Sequence, residues 1–186
     1  MVDENLFEPI LDNDEKIVET FKPNKMRFIW LPTILLFILI AIFITPVIFI
    51  IASEGSEELY SIFYVLGFFV LLACLYPVIM GVRYKKTIYC YTNKRFLFRT
   101  GFIGADYQAI DFDLIGAMNV RVDFLDKLVK PNTGSITFAS AASPIVQGGQ
   151  MGATSAYCFK HIQNPYEVYK RVKEFSGKNK DGKFNS

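Results

Sequence analysis

Two runs of 24 residues without a charged side chain, Phe28 to Ile51 and Leu59 to Val82, lie seven residues apart, and nothing else in this chain restricts its fold as much. At 1.5 Å per residue a helix over either run is about 36 Å long, against a bilayer hydrocarbon core of about 30 Å. Each Leu, Ile, Phe or Val near a helix centre favours insertion by roughly 0.3 to 0.6 kcal/mol. The runs therefore predict a transmembrane helical hairpin over 28–82, with spans at 28–51 and 59–82. The connecting loop, Ala52 to Glu58, carries Glu54, Glu57 and Glu58 and no cation, whereas Lys22, Lys25 and Arg27 precede the first span and Arg83, Lys85 and Lys86 follow the second. By the positive-inside rule this predicts a multi-pass protein of the cell membrane with both termini in the cytoplasm. The spans contain no Asp, Glu, Lys, Arg or His to relay an ion, so they read as an anchor.

Charge is nearly balanced overall, with 20 basic and 18 acidic side chains, which excludes nucleic-acid binding through bulk positive charge. It is unevenly placed. Residues 1–27 form an acidic segment (Asp3, Glu4, Glu8, Asp12, Asp14, Glu15 and Glu19 against Lys16) that ends in the basic border at Lys22, Lys25 and Arg27. An acidic start and long apolar run do not fit a cleaved signal peptide. Cys74, Cys90 and Cys158 are widely spaced and odd in number, giving no disulfide framework or zinc knuckle; Cys74 and Cys90 read as small buried hydrophobes.

After Lys86 the pattern shifts to short β-rich segments: Thr87 to Tyr91, Arg95 to Thr100, Tyr107 to Ile110, Ala117 to Val122, Ser135 to Ser140 and Ser155 to His161. Thr92, Asn93 and Lys94 suit a tight turn, and Pro131 to Gly134 form a turn cluster. Strands without intervening long helices predict an antiparallel sheet, sandwich or partly open barrel. Asn164, Pro165 and Glu167 then open one amphipathic C-terminal helix. The domain is expected over 87–175 as a self-sufficient unit, followed by a flexible tail at 176–186.

This order of elements has the outline of a pleckstrin-homology (PH)-like barrel capped by one helix. The chain resembles the bacterial PH-like membrane proteins of the YdbS type, in which a two-helix hairpin leads into a cytoplasmic PH-like domain. The match rests on Tyr91 to Arg95 (YTNKR, like the family's Y-x-[LV]-T-x-x-R turn), Arg99 to Gly101, Phe124 to Leu128, Thr133 to Phe138 (TGSITF), and Asn164 to Tyr166. Glu15 and the Lys22 to Phe28 approach are similar to the family's acidic lead-in and basic border. The resemblance implies a membrane α-helical hairpin plus an α+β or mainly-β domain of antiparallel strands. The stretch from Ala141 to Ser155 departs from it, being longer and richer in glycine.

Catalytic chemistry is thin. Asp111 with Asp113, and Asp123 with Asp126, are spaced carboxylates that a charged face or turn explains, and His161 with Cys158 cannot close a zinc site. No nucleophile elbow, P-loop or G-x-G-x-x-G is present, so no cofactor, no metal and no enzymatic activity are expected. Two binding surfaces stand out. Arg83, Lys85, Lys86, Lys94, Arg95 and Arg99 form a basic collar suited to anionic lipid head groups. The uncharged loop holding Ile145, Val146, Gln147, Gly148, Gly149 and Met151 suits a protein partner or a second copy. The leading expectation is a membrane-anchored, non-catalytic binding or scaffold module; the alternatives are a lipid head-group sensor and a subunit of a membrane enzyme or transporter.

Overall fold

The computed structural model describes residues 6–54, 59–129, 132–140 and 157–184. The first strand is β1, Ile17–Phe21, and its Ile-Val-Glu-Thr-Phe composition is rich in the β-branched and aromatic residues that suit a pleated surface. Helices α1, Leu31–Glu54, and α2, Leu59–Lys86, follow. Each is long and apolar enough to cross a membrane. A π-helical turn, Met26–Trp30, leads into α1. Pro32 has no N–H for the carbonyl four residues earlier, and the looser winding just before it accommodates that gap. The second helix runs beyond Val82, so Arg83, Lys85 and Lys86 occupy its last turn. Cys74 lies on the exposed surface of α2 and is not buried as expected, while Cys90 is fully buried.

The remaining strands are β2 (Ile88–Thr92), β3 (Arg95–Thr100), β4 (Asp106–Asp111), β5 (Ile115–Arg121), β6 (Thr133–Ser140) and β7 (Tyr157–Gln163). They form two antiparallel sheets, ordered β1-β2-β3-β4 and β5-β6-β7, and among the described residues no closed barrel. A short helix α3, Phe124–Lys127, joins β5 to β6, and α4, Pro165–Phe184, ends the fold. That helix continues through Gly177, so the stretch from Ser176 is helical where a flexible tail is expected from composition.

The registers expose an unusual connection. Phe21 stands opposite Tyr89, and Thr20 opposite Cys90, so β1 and β2 are the two arms of an antiparallel pair whose connection is the whole helical hairpin. The sheet therefore begins at Ile17, upstream of the two long helices, and not at Thr87.

Alternation along β2 and β3 sends Tyr89, Tyr91, Phe96 and Phe98 to the face between the sheets. Phe159 of β7 is the hub there, with ring centroids 5.6 Å from Phe21, 5.2 Å from Tyr89, 5.1 Å from Phe98 and 4.9 Å from Phe138. Val168 and Val172 of α4 close one side. The opposite face of β2 and β3 presents Ile88, Cys90 and Leu97, and the segment around Phe7 covers them. This explains why every residue of β2 is buried.

Candidate functional site

Where the hairpin meets the sheets, polar side chains are packed out of water. Arg27 Nε donates to Asp126 Oδ1 at 2.6 Å, and Asp126 is 1% exposed. The same oxygen accepts from Thr133 Oγ1 at 3.0 Å and lies 3.3 Å from His161 Nδ1. Asp126 also completes a capping box with Asp123 at the start of α3, which fixes its rotamer. Burial alone would raise the Asp126 pKa. The Asp123 backbone N–H and the Arg27 guanidinium more than offset this and hold it below the ordinary carboxylate value. Burial and then Arg27 push His161 below the ordinary imidazole value, against the pull of Asp126. The backbone joins in, since Asn24 N–H donates to the His161 carbonyl at 2.7 Å. His161 has a left-handed φ (54°) within β7, and a second left-handed residue, Asn164 (47°), turns the chain from β7 into α4.

A second cluster lies at the far end of the sheet. Glu15, buried, accepts from Arg95 Nη2 at 2.8 Å, Arg95 Nε at 3.0 Å and Thr92 Oγ1 at 2.6 Å. Burial pulls its pKa up, but Arg95 and Thr92 bring it below the ordinary range. Lys94 Nζ and Arg95 Nη2 also lie 3.8 and 3.7 Å from Asp12.

The six basic collar residues consequently divide into two groups. The register places Arg99 opposite Ile88, beside the end of α2, whereas Lys94 and Arg95 occupy the turn at the other end of β2 and β3. Arg95 is bound to Glu15, and Arg99 lays its guanidinium on the Tyr107 ring. Arg83 and Lys85 are exposed at the hairpin base, and Lys86 Nζ donates to the Ile103 carbonyl. The loop residues Ile145, Val146, Gln147, Gly148, Gly149 and Met151 lie outside the described residues.

Two clefts open near the hairpin base. The larger, about 690 Å³, runs between the end of β1, the linker to the hairpin and the first turns of α4. Strand β1 is the edge of its sheet, and Glu19 reaches across to Arg171 at 3.0 Å. The smaller, about 240 Å³, lies against Phe28 and is lined by Arg83, Lys160, Thr87, Thr100 and Gln108, with Cys158 in its wall. Burial raises the Cys158 thiol pKa, which disfavours the reactive thiolate. No grouping of three metal-ligating side chains occurs among the described residues.

The sequence matches the Bacterial PH domain family over residues 26–173. The chain belongs to that family. Among solved structures, this bacterial PH-domain protein is similar to a DUF1696-family protein with a pleckstrin-homology domain from Shewanella loihica, at 10% identity and a TM-score of 0.42 over 95% of this chain and 97% of that chain. No curated protein matches it in sequence. The PH-like architecture expected of the family is present in the paired sheets and the helical cap, beside the two long apolar helices.

Three residues do more than their local sequence implies. Arg27 sits where a topology determinant is expected, Asp126 reads as one of a spaced carboxylate pair, and Glu15 reads as part of an acidic lead-in. The capping spacing from Asp123 to Asp126 is a local signal for α3. Nothing local pairs Asp126 with Arg27 or Glu15 with Arg95.

Proposed function

We propose that this bacterial PH-domain protein is a membrane-anchored, non-catalytic binding module. The hairpin crosses the cytoplasmic membrane, and the domain stands on the inner surface and holds an extended segment of a partner protein in the larger cleft. The observation that carries this reading is the position of β1. It is the edge strand of its sheet, and it borders a cleft walled by α4. An edge strand offers unpaired backbone N–H and C=O groups, and adding a strand satisfies them with main-chain hydrogen bonds. Confinement to the membrane raises the effective concentration of a partner in the same bilayer, so a weak segment contact suffices. The test is photo-crosslinking in native membranes, with a photoreactive residue at Thr20 or Glu167 in the cleft and at Asp106 outside it. Discrete adducts from the cleft positions alone support the reading, and an indifferent pattern from all three refutes it.

A second reading is favoured by the smaller cleft. Arg83 and Lys160 with three neutral hydrogen-bonding side chains suit a lipid phosphate. Replacing both cations by Gln is then expected to remove a salt-sensitive preference for anionic vesicles, an effect that changing Lys94 and Arg95 would not reproduce.

A further inference from the structure

Two exposed apolar tips flank the hairpin base. The first is the loop between β3 and β4, where Ile103 is 88% and Phe102 43% exposed. The second is α3 with its following residue, where Phe124 is 75% and Leu128 58% exposed. Phe124 and Leu128 are four residues apart and share a helix face. Large apolar side chains at tips of a folded domain forfeit burial, and contiguous ones mark a surface that meets something apolar.

Both tips are tied to the hairpin, each to a different helix. Lys86, the last residue of α2, donates to the Ile103 carbonyl. Arg27, immediately before the first apolar run, holds Asp126, the third residue of α3. The Phe28 and Tyr84 rings lie 5.9 Å apart, so these two ends of the hairpin are at one level. Lys86 follows Tyr84 by about 3 Å of helix rise. The loop is also shaped to stay in place. Gly101 has φ 149°, and a Cβ there would collide with the Gly104 carbonyl oxygen, so only glycine closes this turn. The capping box fixes α3 in the same way.

We propose that Phe102, Ile103, Phe124 and Leu128 are interfacial anchors that dip into the bilayer holding the hairpin, seating the domain on the lipid surface at two sides of the stalk. This inference rests on the membrane-anchored reading. Lys86 and Arg27 hold these tips at the level where the two apolar runs end. Lys127, exposed and next to Leu128 in sequence, is able to lay its stem along apolar side chains while its ammonium meets head groups. The domain is thereby held in one orientation, with both clefts at a fixed height above the lipid.

The test uses the full chain in phospholipid vesicles. Trp30 is the only tryptophan, so Trp30→Phe gives a dark background into which Ile103→Trp, Phe124→Trp or Leu39→Trp is introduced singly. Leu39 lies within α1 and reports on the span itself. Lipids brominated near the head-group end of the acyl chain are expected to quench the Ile103→Trp and Phe124→Trp variants, with blue-shifted emission and protection from aqueous iodide. Quenching at Leu39→Trp without quenching at both tips overturns the anchor inference and leaves the membrane reading intact. Blue-shifted tips that bromolipid does not quench mean that protein covers them, which also overturns it. Leu39→Trp is read with lipids brominated near the acyl-chain end, at the bilayer centre, and its failure to be quenched there sinks the membrane reading, and this inference with it.

Discussion

Arg27 and Asp126 are 99 residues apart in the chain and 2.6 Å apart in space, and their pairing joins the foot of the first long helix to the helix between β5 and β6. Both are buried, so neither charge has water to fall back on. Removing one partner of such a pair typically costs about 3 to 5 kcal/mol, while replacing both by apolar groups is often near neutral. Asp126→Asn and Arg27→Met are each expected to lower the melting temperature of the full chain in detergent sharply. The double change Arg27→Met with Asp126→Asn, which keeps a side-chain acceptor for Thr133 and for the Asp123 backbone N–H, should recover part of the loss. Single variants that melt like the parent would show that the pair does not hold the junction.

His161 gives the molecule an acid-sensitive joint. Its folded-state pKa is depressed below the ordinary value of about 6.5, so the unfolded chain takes up a proton first as pH falls. Its contribution to stability is therefore complete above about pH 6.5 and is lost as pH falls from there through the folded value. The depressed Asp126 and Glu15 add a second loss near the carboxylate range, at lower pH. As the only histidine, His161 should dominate the melting temperature between about pH 7 and 5.5. His161→Asn, which tolerates the left-handed backbone, should flatten that part of the profile. An unchanged slope would assign it to other groups.

Arg95 is expected to behave as a structural residue. Arg95→Gln leaves Glu15 buried without its bidentate partner and should destabilise by about 3 kcal/mol or more, judged by the usual cost of orphaning a buried charge. Lys94→Gln, at an exposed position, should change stability by no more than about 0.5 kcal/mol. Denaturant titrations of the two variants side by side decide the matter. Equal, small effects would restore Arg95 to the pool of free cations.

A fragment of residues 87–184 lacks β1, leaves Phe21 out of the aromatic core and strips Glu15 from Arg95. It is expected to melt broadly, without cooperativity. Joining residues 6–22 to Thr87 through an Asn-Gly turn, with Asp126→Asn to spare the missing Arg27, should restore a cooperative transition in circular dichroism. A sharp melt for the shorter fragment would mean that β1 is dispensable.

The two long apolar helices, six of the strands and the start of the last helix are legible in the sequence because each is encoded in a local period or a capping pattern. Strand β1 carries the same signal in Ile17, Val18, Thr20 and Phe21, but it stands among acidic residues and its partner lies beyond two long helices, so charge dominates the reading. The run of α4 past Gly177 is hidden by composition, since Lys, Asn, Asp and Gly make a polar stretch with no apolar period, and an already packed helix can extend through it. The division of the basic collar follows from strand register. Lys94 and Arg95 are close in sequence to Arg83 and Lys86, yet an extended strand of five residues carries them about 16 Å away. The buried pairs of Arg27 with Asp126 and Glu15 with Arg95 depend on tertiary contacts for which no local pattern exists.

The pairing of β1 with β2 across the helical hairpin also sets an order of events during synthesis. Strand β1 leaves the ribosome first, but its neighbour emerges only after both apolar helices have been made, and bringing the two together requires the helices to have folded back on themselves. If those helices enter the bilayer, closure of the sheet becomes a checkpoint for correct insertion. A chain whose hairpin has stalled or turned the wrong way keeps β1 unpaired, with Phe21 and its backbone groups open to chaperones and proteases. Quality control of the membrane segment would then be read out by the completeness of a soluble sheet.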